Sequence, residues 1–435
     1  MRTADRLALQ GGEPVVPRDQ RAVRWPVVTA EDEAAVLAAL RGGHLTLASS
    51  MGEGDVPEFE VEWAEYVGAG HCVAVSNGTV AIALALAAAG VGPGDEVIVP
   101  ALSFVATATG ALHNLAIPAF VDIDPATFNI DPRRIEERIT PRTRAIVPVH
   151  MHGLPADMDE IRAIAERHGL AVIEDAAQSH GARYRGRRTG VLSAAGAFSL
   201  NSSKNLPSCG EAGMVVSDDA ELAARVRRAR QFGETVEQDQ NRDYLHQELG
   251  WNYKPSPVLI AFARSQLRRY DREQAMREAN VSAFLEAIST LPGVVLPEVP
   301  ADRTHAWHLI RIRFDPEAAG VEGVSRKRFR QALQRALNAE GVLVREYQRM
   351  PLPGQPLFRH LRGMGDGYPW RLGAGEYRYD PAEYPVTNAV LDDSLTIQKA
   401  HLDPARADLL ERYARAFHKV FGNLDLIARL ARSQR

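Results

Sequence analysis

One lysine closes a run of small and polar residues, Gly196-Ala197-Phe198-Ser199-Leu200-Asn201-Ser202-Ser203-Lys204, and glycines follow at Gly210 and Gly213. The run opens as a short apolar strand and ends where the chain turns. A lysine held in so tight a setting is drawn out of water and loses its proton, which makes it a nucleophile for carbonyl carbon. The other reading of the stretch is a surface lysine after a strand. Two further places bear on the choice. Ser76-Asn77-Gly78-Thr79 joins an apolar strand to a nearly all-apolar helix. Such a turn presents free amides at the positive end of a helix, which suits a phosphate; a plain connection capped by Thr79 is the alternative. Ala171-Val172-Ile173-Glu174-Asp175 is a strand that ends on an acid.

These groups need a frame, and the hydrophobic pattern supplies one. Strands are predicted at 71–75, 96–100, 119–122, 145–149 and 171–175, and helices at 80–89, 104–115 and 158–168. Repeated strand–helix units with continuous apolar strands predict an α/β fold with a mostly parallel sheet covered on both faces. Ligands of such sheets sit beyond the C-terminal strand ends, where Ser76, Asp122, Asp175 and Lys204 all fall. No glycine-rich dinucleotide fingerprint is present. An irregular N-terminal arm, 1–28, precedes the large domain, 29–274. Thr29 and Asp32 begin its first helix, and a second is predicted over 57–67. Helices follow at 219–231 and 257–290. A smaller C-terminal α+β domain, 275–435, begins inside the latter helix. It holds a strand at 307–312, a helix at 325–339, a loop at 347–385 and a helix at 403–421.

Bulk composition narrows the classes. The chain has 435 residues, 45% hydrophobic and 24% charged, with a net charge of -4. That is ordinary for a soluble globular protein and leaves no electrostatic footprint for nucleic acid or an anionic membrane. No apolar run is long enough to span a bilayer, and Met1 to Arg6 lacks the core of a signal peptide. Two cysteines, Cys72 and Cys209, form neither a disulfide framework nor a cysteine zinc site. A cytoplasmic location is expected. His150 and His152 lie at a strand end without an evident third ligand, so no metal is expected. Small neighbours predict a packed thiol at Cys209.

Together, the phosphate-type turn, the strand-end acid, the hydroxyl of Ser199 and Lys204 match the needs of pyridoxal phosphate (PLP). That cofactor carries an aldehyde for a lysine, a phosphate for a helix N-terminus, and a ring nitrogen that withdraws electrons better when protonated beside an acid. The chain resembles the fold-type-I, PLP-dependent aminotransferases of the DegT/DnrJ/EryC1/StrS group. The resemblance is carried in order by Ser76-Asn77-Gly78-Thr79, Phe104-Val105-Ala106-Thr107, Glu174-Asp175-Ala176-Ala177-Gln178-Ser179-His180-Gly181-Ala182, Phe198-Ser199 with Lys204-Asn205, and Gly250-Trp251-Asn252-Tyr253. It implies Lys204 as the Schiff-base lysine and proton carrier, and Asp175 as partner of the ring nitrogen. Gln178 stands near the phenolic oxygen and Phe104 on the ring face. Gly78, Thr79 and Ser199 hold the phosphate. Asn252 reaches the partner's phosphate across an obligate homodimer.

The same resemblance implies transfer of an amine from glutamate or glutamine to a keto sugar, nucleotide-linked, or a keto cyclitol. The alternative is other PLP chemistry on this scaffold, such as the dehydrative aromatisation of aminohydroxybenzoate synthases. Many relatives carry Arg and Met where this chain has Lys254 and Pro255, which bears on recognition of the donor. A dehydratase branch carries histidine where Lys204 stands, so a transaminase is expected. Lys254, His308 and Tyr347 are candidate substrate residues, the last with the 347–385 loop. His180 is expected at the back of the cofactor pocket, and His305 flanks the 307–312 strand.

Overall fold

The structure, a computed structural model, describes residues 6–47, 53–235, 244–373 and 375–433. The first five residues of the arm and residue 374 of the 347–385 loop lie outside this range. The large domain carries β1 (His71–Val75), β2 (Glu96–Pro100), β3 (Ile117–Val121), β4 (Thr143–Ile146), β5 (Ala171–Asp175), a small hairpin of β6 (Arg183–Tyr184) and β7 (Arg187–Arg188), then β8 (Ala195–Ser199) and β9 (Gly213–Ser217). Seven of these form one sheet in the order β1-β9-β8-β5-β4-β2-β3. The run β8-β5-β4-β2-β3 is parallel, and β9 is antiparallel to both its neighbours.

Alternation along each strand divides the core. Val73 and Val75 face the helices Gly78–Ala88, Ala106–His113 and Ala220–Arg230, while Cys72 and Ala74 face the helix Asp55–Val67 and the start of Pro257–Ile288. The predicted strand at 145–149 ends early, at Ile146. Pro148 cannot donate to a ladder, and only an isolated bridge from Val149 to Asp175 continues it. The helix predicted from residue 80 begins at Gly78, and its cap is Asn77, whose Oδ1 accepts from the Val80 amide at 2.9 Å. The helix predicted at 104–115 spans Ala106–His113, which leaves Phe104 in the preceding loop.

The smaller sheet joins β10 (Val294–Val295), β11 (Ile310–Phe314), β12 (Val344–Arg345) and β13 (Ser394–Ile397) in the antiparallel order β10-β11-β13-β12. Helix Pro257–Ile288 serves both cores, with Ile260 and Ala263 in the large one and Val281, Phe284 and Ile288 in the small one. The strand predicted from Trp307 begins only at Ile310. Trp307 has φ 50°, and the flanking amides of Ala306 and His308 donate to Gly153 and His152 carbonyls instead. A further helix, Leu424–Ser433, follows Ala407–Phe421, beyond the last helix that the sequence predicts. The arm is anchored: Leu7 and Val16 are buried in the small-domain core, and the Glu340 carboxylate accepts from the amides of Ala8 and Val15. Much of the 347–385 loop docks on the sheet's β3 edge. The Tyr379 hydroxyl donates to the Pro118 carbonyl at 2.7 Å, and Phe120 packs edge-on against Phe358, Tyr379 and Tyr384.

Candidate active site

A cavity of about 680 Å³ opens at the C-terminal edge of the sheet. Gly78, Thr79, Phe104, Asp175, Gln178, Ser199, Lys204, His308 and Tyr347 all line it; Asn252 and Lys254 do not. Of the five lysines in the chain, Lys204 alone reaches this cavity. Lys254 lies over the Phe232 ring at 4.2 Å, Lys327 pairs with Asp392, Lys399 is buried against Trp25, and Lys419 pairs with Glu340.

At one end, the helix beginning at Gly78 abuts the end of β8. A Cβ at Gly78 would stand 2.6 Å from the Ser199 Cβ, and one at Gly213 would stand 2.5 Å from the Asn77 carbonyl carbon. Glycine is required at both places by close approach. Ser199 Oγ accepts the Asn201 amide at 3.3 Å, which leaves its own proton to donate. First-turn amides and a hydroxyl in a cradle without side chains are the donor set of a phosphate site.

Opposite lies Asp175, buried at the end of β5. Its Oδ2 accepts from the Thr107 hydroxyl at 2.7 Å and its Oδ1 from the Ala177 amide at 3.2 Å. Thr107 is in turn bonded to Ser103 at 2.7 Å. Thr107 stands 68 positions from Asp175 along the chain, so no local pattern in the sequence joins the two. Gln178 Oε1 accepts the His152 amide at 2.8 Å, so its –NH₂ end is the one turned to the cavity, 3.4 Å from the Tyr347 hydroxyl.

The Lys204 backbone is held from both sides. Its amide donates to Asn201, and its carbonyl accepts from the Trp25 indole at 3.2 Å. Burial pushes the Lys204 ammonium below the ordinary lysine value, opposed by the charges of Asp175 and Glu211. The Asn205 amide donates to the Ala306 carbonyl, which leaves Oδ1 to accept from His308 Nδ1 at 3.1 Å. The Nδ1 of His308 is therefore its donor, which leaves Nε2 as the acceptor of a ring that lines the cavity. Burial, reinforced by Lys204 and Lys399, holds its pKa well below the ordinary value.

His113 also lines the cavity, His150, His305 and His180 are packed elsewhere, and no group of metal ligands occurs among the described residues. His150 bonds Glu174 at 2.9 Å, both fully buried. His305 stacks on Trp307 at 3.8 Å. His180 does not line the cavity. It packs one layer behind, against Trp63 and Phe198, and burial lowers its pKa to about 3. Cys209 is exposed, not packed, because the small residues around it form a surface turn. Among the described residues of the 347–385 loop only Tyr347 lines the cavity, and much of the loop packs on the β3 edge instead.

A buried strand-end carboxylate, a helix N-terminus walled by glycine and a desolvated lysine meet on a mostly parallel sheet beside a small antiparallel domain, the arrangement of a fold-type-I PLP-dependent enzyme. The profile of the DegT/DnrJ/EryC1/StrS aminotransferase family matches residues 26–368, and the chain belongs to that family. Among its relatives, an L-glutamine:scyllo-inosose aminotransferase of Streptomyces griseus is 35% identical, over 97% of this chain and 99% of that protein. Among solved structures, DesV of S. venezuelae is 32% identical with a TM-score of 0.75, covering 92% of this chain and 98% of that one. A 3-amino-5-hydroxybenzoic acid synthase is 30% identical with a TM-score of 0.79, covering 91% and 98%. The protein is thus a PLP-dependent aminotransferase. No helix among the described residues is long and apolar enough to cross a membrane.

Proposed function

We propose that this aminotransferase takes its amine from glutamate or glutamine and delivers it to the ketone of a cyclitol, with a keto sugar as the related acceptor class. The observation that carries this reading is the similarity to a scyllo-inosose aminotransferase through nearly the full length of both chains. When bound, PLP supplies an aldehyde and an electron-withdrawing ring that let one site accept an amine and then release it. The chain's own residues divide the rest. Gly78 and Thr79 amides with Ser199 hold the phosphate, by charge-assisted bonds worth roughly 1.5–3 kcal/mol each. Phe104, 57% exposed in this chain, covers the ring face. Asp175 keeps the ring nitrogen protonated, and Gln178 presents its –NH₂ to the phenolic oxygen. Lys204 would hold the cofactor through Nζ and would serve as the base that moves the proton at the substrate's Cα.

Asn252 is exposed and does not line this chain's cavity, and exposed Tyr244, Leu245 and Leu249 precede it along the chain. This placement supports a homodimer in which Asn252 of the 250–253 loop completes the partner's site, while Tyr253 lines this chain's own cavity, with Lys254 as a point charge for the donor carboxylate. Two free cysteines fit a cytoplasmic setting.

The test is a donor-and-acceptor panel read from the absorption of the bound cofactor. Glutamate or glutamine alone should convert it to its amine form, and a keto cyclitol should reverse the change. If neither donor acts while a cyclic substrate does, the dehydrative alternative replaces this reading. Lys254→Ala should raise the donor's KM by about tenfold, the loss of roughly 1.4 kcal/mol, and leave the acceptor's KM within twofold. An unchanged donor half-reaction would remove Lys254 from the site.

A further inference from the structure

Arg311 on β11 is buried, at 2% exposure, and among the described residues no carboxylate forms an ion pair with it. Its guanidinium lies between the rings of Phe128 and Tyr347, 5.5 and 5.4 Å from their centres. Nε donates to His152 Nε2 at 2.9 Å and Nη1 to Ser394 Oγ at 2.7 Å, while Nη2 is buried without a partner. The neighbouring acid, Asp393, is held by Arg313 and Arg326. A buried cation lacking a counter-ion is costly and is kept where its charge is used.

Two routes lead from it to the same place. The ring of Tyr347 carries the hydroxyl that meets Gln178, and His152 carries the amide that fixes Gln178 Oε1. The His152 and Tyr347 rings meet edge to face at 5.1 Å. Gln178 and Tyr347 open to the cavity; Arg311 and His152 stand behind them.

We propose that Arg311 is a positioning residue whose charge, delivered behind Tyr347 and Gln178, keeps the phenolic edge of the bound cofactor ionised. This rests on the reading that Gln178 faces that oxygen. A positive charge behind a partly dry edge favours the anion there and lowers its proton affinity. The other groups around it do not supply that charge. Asp175 is negative, and burial keeps His152, His305 and His308 from charging. Lys204 spends its amine on the cofactor. Arg313 and Arg326 are neutralised on Asp393.

The experiment is a pH titration of the bound cofactor's visible absorption in the holoenzyme. Arg311→Met should raise the midpoint by about one unit, a tenfold change in proton affinity, while Arg311→Lys stays within about 0.3 unit of the parent. Ser394→Asp, which pairs the guanidinium without removing it, should raise the midpoint in the same direction and serves where the methionine variant fails to fold. A midpoint unmoved in the folded neutral variant, or in Ser394→Asp, overturns the proposal and leaves Arg311 a packing residue. Failure of the parent to bind cofactor would sink the site assignment instead, so the two failures are distinct.

Discussion

Lys204→Ala is expected to give a folded protein that does not hold PLP covalently and transaminates roughly 10⁶-fold more slowly, the scale seen when a nucleophile acting with its partners is removed. Lys204 has two duties in the proposed chemistry, attachment of the cofactor and movement of the substrate proton, and no neighbour can take either. The next lysine in sequence, Lys254, lies on the Phe232 ring outside the cavity, and Lys399 is buried against Trp25. Borohydride reduction followed by peptide mapping reads the attachment directly. The mass of the cofactor should appear on the Lys204 peptide of the parent and nowhere in the variant. Label on Lys254 or Lys399, or turnover above one part in a hundred, would refute the assignment.

The same substitution makes a prediction for the apo-protein that is independent of catalysis. Burial lowers the Lys204 pKa, so the folded state binds its proton less tightly than the unfolded chain does. Stability then rises with pH between the lowered value and the ordinary lysine value near 10.4. Below that window the burial of an ammonium opposes folding in full; above it the cost is gone. Apo Lys204→Ala should therefore melt higher than the apo parent at neutral pH, with the gap closing as pH rises towards 10.4. A gap that does not change with pH would mean that Lys204 is not desolvated.

What the sequence could reveal follows the range of the forces involved. The strands 71–75, 96–100 and 171–175 match end to end, because continuous apolar runs and their stops are local. The turn and the helix N-terminus at Gly78 were legible because a strand, a small polar turn and an apolar run follow one another locally. Contacts made across the sheet were not. Thr107 on Asp175, Trp25 on the Lys204 carbonyl, and Arg311 behind Tyr347 join residues far apart in the chain. Arg311 sits in a β-strand as any alternating charge would, and nothing in its neighbours announces that its side chain points inward. The β12–β13 pairing and the fixing of the arm by Glu340 were hidden for the same reason. Two candidates, Asn252 and Lys254, lie outside this chain's cavity, because a sequence motif carries no information on which chain's site it faces.

Asp175→Asn is expected to keep the fold and the cofactor but slow the donor half-reaction by roughly 10²–10³, the usual effect of removing one preorganised electrostatic partner. The shape is nearly conserved, and Ser103 and Thr107 can exchange donor and acceptor roles to suit the amide, since either hydroxyl can donate in their 2.7 Å contact. What asparagine cannot do is hold a proton on the ring nitrogen by charge, so the ring becomes a poorer electron sink. Asp175→Ala should lose as much rate and also stability, about 1–3 kcal/mol, because the Thr107 hydroxyl and Ala177 amide lose their acceptor in a buried place. Stopped-flow absorbance with saturating glutamate separates these effects from binding. The rate constant should fall while the dissociation constant for PLP moves less than tenfold, since the phosphate cradle and Lys204 are untouched. A loss under fivefold in the asparagine variant would mean that the Asp175 charge is not what activates the ring, and would shift that duty to the edge governed by Gln178, Tyr347 and Arg311.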